Sequence, residues 1–451
     1  MRYSFCRRLL GGLIGCCLSV PVAQAQLSLT GQLRTRTELR DGQGTLPAKG
    51  AVPAFFTSQR TRLNFGYTGY RFKLFTAVQD VRVWGQDAST IHRNTLEGND
   101  GLMLHEAWGE IALTDTAAGA GELLLKIGRK ELVYDDVRLL GNLDWLQQAR
   151  RHDLALLKYH RHDWQAHLGL AFNQNKELKS GSVYQGVPAG YAAGTNGQNT
   201  LYKSMQFGYL GRKLRAGNAS VLVLKDDFNR YVTHEDRSRT YVRGVWSRVT
   251  LGGYLSTGLT PKLSLTGSAY YQAGKDRDGT PLSAYLLSAH APYAVNRTFS
   301  LGPGLDYTSG GGTATRSRRF DPLYGTPHKF WGYLDYFYVA DGFGNNGLVN
   351  YYVKTCFKVR ENLLVTLDAH QFTTANRVTA GDGTALDRNL GTELDLVASY
   401  NLTKMIHLEG GYCSLFATPT LASAAVKNVP DARRQANWAY LMISIKPDFL
   451  K

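Results

Sequence analysis

Beyond residue 25 this 451-residue chain has no run of 18 or more apolar residues, so it does not cross a membrane as helices. It is also poor in cysteine. Cys6, Cys16 and Cys17 fall within the first 25 residues, leaving Cys356 and Cys413 far apart and without metal spacing. They read as two isolated thiols, buried or lipid-facing, rather than a disulfide or a ligand set. Catalytic signatures are missing too. The sequence carries no nucleophile elbow, no metal-binding His/Glu spacing and no phosphate-cradling glycine loop. His152-Asp153, His162-Asp163 and the Asp368/His370 neighbourhood are fragments of a serine triad without its nucleophile, and read as turns or ion pairs. The expectation is therefore a protein that is not an enzyme and needs no cofactor or metal.

The chain does hold an export signature. Arg2, Arg7 and Arg8 precede an apolar stretch from Leu9 to Val20, and Ala23-Gln24-Ala25 follows. This order predicts a secretory signal peptide over residues 1–25, with residues 26–451 as the mature domain. A competing lipid-attachment box, Leu13-Ile14-Gly15-Cys16, lies further from the first strand. Without Arg2, Arg7 and Arg8 the chain keeps 49 basic side chains, 52 less three, against 36 acidic ones, a formal charge of +13. In a secreted protein that balance points to anionic partners such as acidic saccharides or lipopolysaccharide phosphates, and not to nucleic acid.

From Gln26 onward, short segments alternate apolar and polar residues. Leu27, Leu29, Leu33, Thr35, Thr37 and Leu39 share one face, while Gln32, Arg34, Arg36, Glu38 and Arg40 share the other. Leu63, Phe65 and Tyr67 repeat the pattern opposite Arg60, Arg62 and Asn64. In the third segment Asp80 and Arg82 fall in phase with Leu74, Thr76 and Val78, which leaves open a bulge or the end of a lipid-facing band. Later segments include 122–133, 218–226 and 240–255, the last being the weakest because Val242 and Val245 fall on opposite faces. About eighteen such segments are separated by connectors that alternate between long and short. The long set includes 134–152, 227–239, 274–281, 309–346 and 374–388.

This rhythm predicts an all-β fold, a transmembrane antiparallel up-and-down β-barrel with short periplasmic turns, long extracellular loops and both termini in the periplasm. A mean hydropathy of -0.27 does not oppose it, because only every second residue meets lipid. The 26 Tyr, 18 Phe and 7 Trp suit the interfacial girdles. A barrel of this size leaves an aqueous bore unless loops or side chains fill it. Arg34, Arg36, Arg40, Arg60 and Arg62 fall in the inward phase, with Arg129 and Lys130 near the third strand pair. Guanidinium forks pair carboxylates at any pH and suit an acidic solute. They equally suit lumenal acids such as Glu38, Glu106, Glu110, Glu393 and Asp395, which would tie them up as filling.

One stretch resembles the signature of the alginate export family of outer-membrane barrels. It runs from Gly128-Arg129-Lys130-Glu131 through Asp135-Asp136-Val137-Arg138 to Gly141, then Asp144-Trp145, Gln148 and Arg151-His152-Asp153. A second stretch agrees, Leu305-Asp306-Tyr307 followed by Phe320-Asp321-Pro322-Leu323-Tyr324 and His328-Lys329-Phe330 up to Asp335-Tyr336-Phe337. Gln79 to Trp84, His370-Gln371-Phe372 and Leu390 to Asp395 are weaker echoes. The resemblance implies an eighteen-stranded barrel whose arginine-lined lumen passes an anionic uronate polymer or its oligomers. Arg129, Asp136, Arg138, Asp144 and Arg151 match its motif positions.

The residues expected along the solute path are therefore Arg34, Arg36, Arg60, Arg62, Asp80, Arg82, Arg129, Asp136, Arg138, Asp144, Arg151, His328, Asp335, His370 and Glu393. The charge-dense loop 134–152 is expected to fold inward and narrow the bore, and 309–346 to act as a second lid. Expected partners are acidic polysaccharide or small anions, and outer-membrane lipid and lipopolysaccharide, with any periplasmic export partner left unspecified by the sequence. The alternatives are an anion-preferring porin for small solutes and, from another class, a barrel enzyme.

Overall fold

The computed structural model describes residues 26–85, 102–114, 121–184, 201–313, 315–338 and 345–450. The expected signal peptide and Cys16 lie outside the described residues. Eighteen strands form the wall. The first six are β1 Gln26–Asp41, β2 Ala54–Gly69, β3 Phe72–Val83, β4 Met103–Ala112, β5 Glu122–Lys130 and β6 His152–Arg161. The next six are β7 Trp164–Phe172, β8 Ser204–Leu214, β9 Gly217–Thr233, β10 Arg239–Gly258, β11 Ser264–Lys275 and β12 Pro281–His290. The circuit ends with β13 Phe299–Thr308, β14 Leu348–Arg360, β15 Leu363–Thr374, β16 Asn389–Asn401, β17 Ile406–Ala417 and β18 Gln435–Ile445. Each pairs antiparallel with its neighbour. The cylinder closes where β1 pairs with β18, from Leu33 opposite Ile445 to Asp41 opposite Asn437. Closure leaves no unpaired edge, which lipid requires because it offers the backbone no hydrogen bonds.

Side-chain alternation sorts the two faces as the sequence predicts. Leu168 and Leu170 on β7 are each 50% exposed, and Val223, Leu251, Leu287, Val353, Leu396 and Leu441 continue an outward apolar belt. A belt this extensive is far larger than the patch a soluble protein leaves in water, and hydrocarbon is the solvent that fits it. Facing it on the inside, Arg34 opposes Arg60 and Gln32 opposes Arg62 across β1 and β2. Cys356 and Cys413 are both free thiols, partly and fully buried.

Two irregularities carry information. The weak segment on β10 contains a bulge between Tyr241 and Val245, with Gly244 at φ 103°. Residues 242–244 oppose the single Arg230 there, and Val242 and Val245 are both exposed. On β3 the pairing with β2 runs unbroken from Ser58–Val83 to Gly69–Phe72, so no bulge interrupts it there. The bulge lies across the ladder on β4, where Ala77 and Val78 oppose Glu106 and Leu104 and skip His105. Asp80 and Arg82 therefore keep the outward phase of Val78 and mark the end of the apolar band.

Connector lengths need one correction. The expected long loop at 227–239 is mostly strand, because β9 and β10 extend to Thr233 and Arg239, and the one at 274–281 shortens to residues 276–280 between β11 and β12. Their polar residues lengthen the hairpins.

Candidate functional site

The lumen is furnished by two loops that fold inward. The first, residues 131–151, contains the charge-dense stretch. Its apolar side chains Leu132, Leu139, Leu140 and Leu143 are buried. Asp135, Val137, Leu143 and Ala149 all take positive φ, between 48° and 67°. A β-branched residue such as Val137 disfavours that region, so the surroundings must impose it.

The surroundings are the arginines of β1 and β2. Arg34 Nε donates to Gln147 Oε1 at 2.9 Å and its Nη1 to Asp144 Oδ2 at 3.2 Å. Arg60 Nη1 donates to the other Asp144 oxygen at 2.7 Å, so one carboxylate is shared by two strands. Arg36 Nη1 donates to the Trp145 carbonyl at 2.8 Å and its Nε to Glu38 at 2.9 Å. Arg62 donates to Gln79 at 2.8 Å and lies 3.5 Å from Glu131. Burial works against ionisation of Asp144, but the Arg60 and Arg34 guanidinium groups outweigh it and hold the carboxyl below the usual range. Asp144 keeps 43% of its side chain exposed, so the clamp has a wet side.

The second loop, in its described residues 309–313 and 315–338, is tied to the first. Leu140 and Tyr324 form a parallel bridge, with Tyr324 N–H donating to Leu139 O at 3.0 Å and Gly141 N–H to Tyr324 O at 2.9 Å. Thr326 N–H donates to Val137 O at 2.8 Å, and Arg150 Nη1 to Gly325 O at 2.6 Å. Only glycine fits at 325, since a Cβ there would lie 1.9 Å from Arg138 O. Burial pulls the Arg150 guanidinium down to about 9.

The joined loops reach the rest of the wall through further ion pairs. Arg138 sits 3.1 Å from Asp306 and 3.3 Å from Asp136, above the Phe330 ring at 3.9 Å. Arg248 bridges Asp226 and Asp321, the latter at 2.6 Å, and Tyr324 Oη donates to Asp226 at 2.6 Å. His328 stacks on Trp145 with centroids 4.1 Å apart, and its Nδ1 meets Asp335 Oδ1 at 2.5 Å. On β16, Glu393 accepts from Leu334 N–H at 2.8 Å and Asp395 from Tyr333 N–H at 3.3 Å. His370 on β15 contacts Asn350, which in turn donates to Phe330 O at 3.0 Å.

The structure thus brings Arg34, Arg36, Arg60, Arg62 and Asp144 into one cluster, Asp136 and Arg138 into a second, and His328, Asp335, His370 and Glu393 around the second loop. Three expected path residues stand elsewhere. Asp80 and Arg82 are on the outer face, paired with each other at 2.6 Å. Arg129 shares the outward phase of Ile127 and pairs with Asp153 at 2.7 Å. Its neighbour Lys130 is the inward one. Arg151 directly precedes β6 and is partly buried.

Sequence reasoning missed Lys126 and Lys158, which flank Glu110 on the inner wall, and the Asp226–Arg248–Asp321 triad. The inward phase of β5 and β6 contained the first signal. Together the basic side chains Arg34, Arg36, Arg60, Arg62, Lys126 and Lys158 occupy β1, β2, β5 and β6. Acidic Asp306, Asp368, Glu393 and Asp395 occupy β13, β15 and β16.

Residues 25–176 match the family model described as alginate export. Solved structures give the same fold over more of the chain. OccK3 (OpdO) of Pseudomonas aeruginosa has a TM-score of 0.59 at 12% identity, covering 94% of this chain and 96% of that one. OpdQ of the same organism scores 0.57 at 13% identity, covering 94% and 98%. OpdK with vanillate, also from P. aeruginosa, scores 0.55 at 9% identity, covering 94% and 99%. No curated protein matches the sequence significantly. An alginate export match over its first third thus accompanies a closed eighteen-strand wall with the fold of outer membrane proteins such as OpdK of P. aeruginosa.

Proposed function

We propose that the barrel passes carboxylate-bearing solutes, uronate oligomers above all, by passive diffusion along the basic arc of β1, β2, β5 and β6. The observation that carries this reading is the Arg34/Arg36/Arg60/Arg62 cluster, four guanidinium groups on adjacent inward positions around the half-exposed Asp144. An incoming carboxylate exchanges with Asp144 for the same donors, so each contact is strong yet replaceable, as conduction requires. The two joined loops favour oligomers and small acids over a thick polymer. In this reading the short turns face the periplasm and the long loops the exterior, and residues 1–25 act as the export signal.

Planar-bilayer recording of the purified barrel tests the proposal. The expected result is anion selectivity and current block by a mannuronate trimer, both weakened in Arg60→Gln/Arg62→Gln. Cation selectivity, or block indifferent to that substitution, would overturn it. A second reading, export of the polymer itself, is favoured by the alginate export match at residues 25–176. It predicts that long alginate chains block from the short-turn side better than trimers do.

A further inference from the structure

Away from the β1–β2 arginines, the tip joining β11 to β12 and the residues 311–313 and 316–321 line a cavity of about 550 Å³. That lies within the roughly 300 to 1,000 Å³ typical of small-molecule sites. Four arginines and three aspartates line it, and most of that charge is already used. Arg248 is held by Asp226 and Asp321. Arg277 lies 3.5 Å from Asp278. Asp276 accepts the Asp278 and Thr280 backbone N–H groups at 3.0 and 2.9 Å, and burial pushes its carboxyl up, which weakens it as a counter-ion.

Two forks remain. Arg316 is exposed, and its guanidinium has no hydrogen bond or ion pair among the described residues. Arg319 has a buried Nε without a hydrogen-bond partner. A buried unmet donor is costly, and a planar oxyanion is the group that satisfies it best. Gly311 and Gly312, at φ 78° and 132°, keep that wall free of side chains.

We propose that this cavity is an anion-docking site at the loop mouth, where the carboxylate of a uronic acid unit pairs with Arg316 and Arg319 before the solute enters the lumen. The inference rests on the reading of the barrel as a carboxylate channel and adds the place where such a solute is first held. Trp246 supplies a local reporter, because its ring packs against the hairpin tip so closely that a Cβ at Gly279 would lie 2.5 Å from it.

The test titrates the full barrel in detergent with a mannuronate trimer, reading Trp246 fluorescence and heat, with Trp246→Phe and neutral mannotriose as controls. Arg316→Gln/Arg319→Gln is expected to weaken binding about tenfold, the scale of lost charge-assisted hydrogen bonds. Ser317→Trp, which fills the cavity and leaves both arginines, is expected to do the same, with heat-modifiable gel mobility confirming the fold. Unchanged affinity in both variants, equal binding of mannotriose, or no binding to the wild type overturns the site. Bilayer recording separates this from the lumen reading. Anion selectivity with arginine-independent binding sinks the docking site alone. Trimer binding that needs Arg316 and Arg319 in a barrel without anion preference supports the docking site and sinks the lumen reading.

Discussion

Asp144 is the residue on which the narrowing depends, since it is the carboxylate that two wall arginines hold at 3.2 and 2.7 Å. Its folded pKa is lowered, so its stabilising effect is present above the unfolded value near about 4 and is lost as pH falls through the folded one. Single-channel currents are therefore expected to stay flat from pH 7 to 5 and to become noisy only at lower pH. Asp144→Asn should show that noise already at pH 7. A transition between pH 7 and 5 would mean that the arginines do not hold this carboxyl. Removing the charge also leaves Arg34 and Arg60 uncompensated, so the variant should prefer anions more strongly, read as a shifted reversal potential. At this scale the sequence was legible where phase alone decides the side, as for Arg34, Arg36, Arg60 and Arg62. It misled where charge was taken as a sign of the lumen. Asp80, Arg82 and Arg129 face outward because each finds its counter-ion on the outer face, beside Asp153 in the case of Arg129.

Strands were legible as elements because alternation encodes the two faces directly, and β5, Glu122–Lys130, starts where the 122–133 segment was expected to start. The inward loops were legible only as dense charge. Their partners, such as Tyr324 for Leu139 or Gly325 for Arg150, lie some 175 to 185 residues away and follow no period. The contact at Gly325 gives a test of the junction. Gly325→Ala places a methyl 1.9 Å from Arg138 O, and overpacking of this kind costs about 1–3 kcal/mol. The expected outcome is an intact wall with faster digestion by protease within 318–338, and wild-type resistance would count against the junction. Deleting 139–148 removes Leu140, Asp144 and the Trp145 stack together. Conductance should rise, and an unchanged value would show that this loop does not set the narrowest section.

At the scale of the whole molecule the argument is about solvent. A cylinder with Leu168 and Leu170 half exposed outside and Lys126 beside Glu110 inside is stable only if hydrocarbon lies on one side and water on the other. Inside, cations are concentrated on β1 to β6, with Glu38 and Glu110 among them, and carboxylates on β13 to β16, with Lys354 beside Asp368. The wall thus tolerates polar change on one face and rejects it on the other. Leu168→Arg puts a guanidinium near the middle of β7 against lipid, at about 2–4 kcal/mol near the bilayer midplane. Lys126→Arg keeps a cation in the lumen. Outer-membrane yield and heat-modifiable mobility are expected to drop for Leu168→Arg and to stay at wild-type levels for Lys126→Arg. Equal assembly of the two variants would mean that the outward belt does not face lipid, and a water-soluble cylinder with the same strand order would then have to account for its exposed apolar surface.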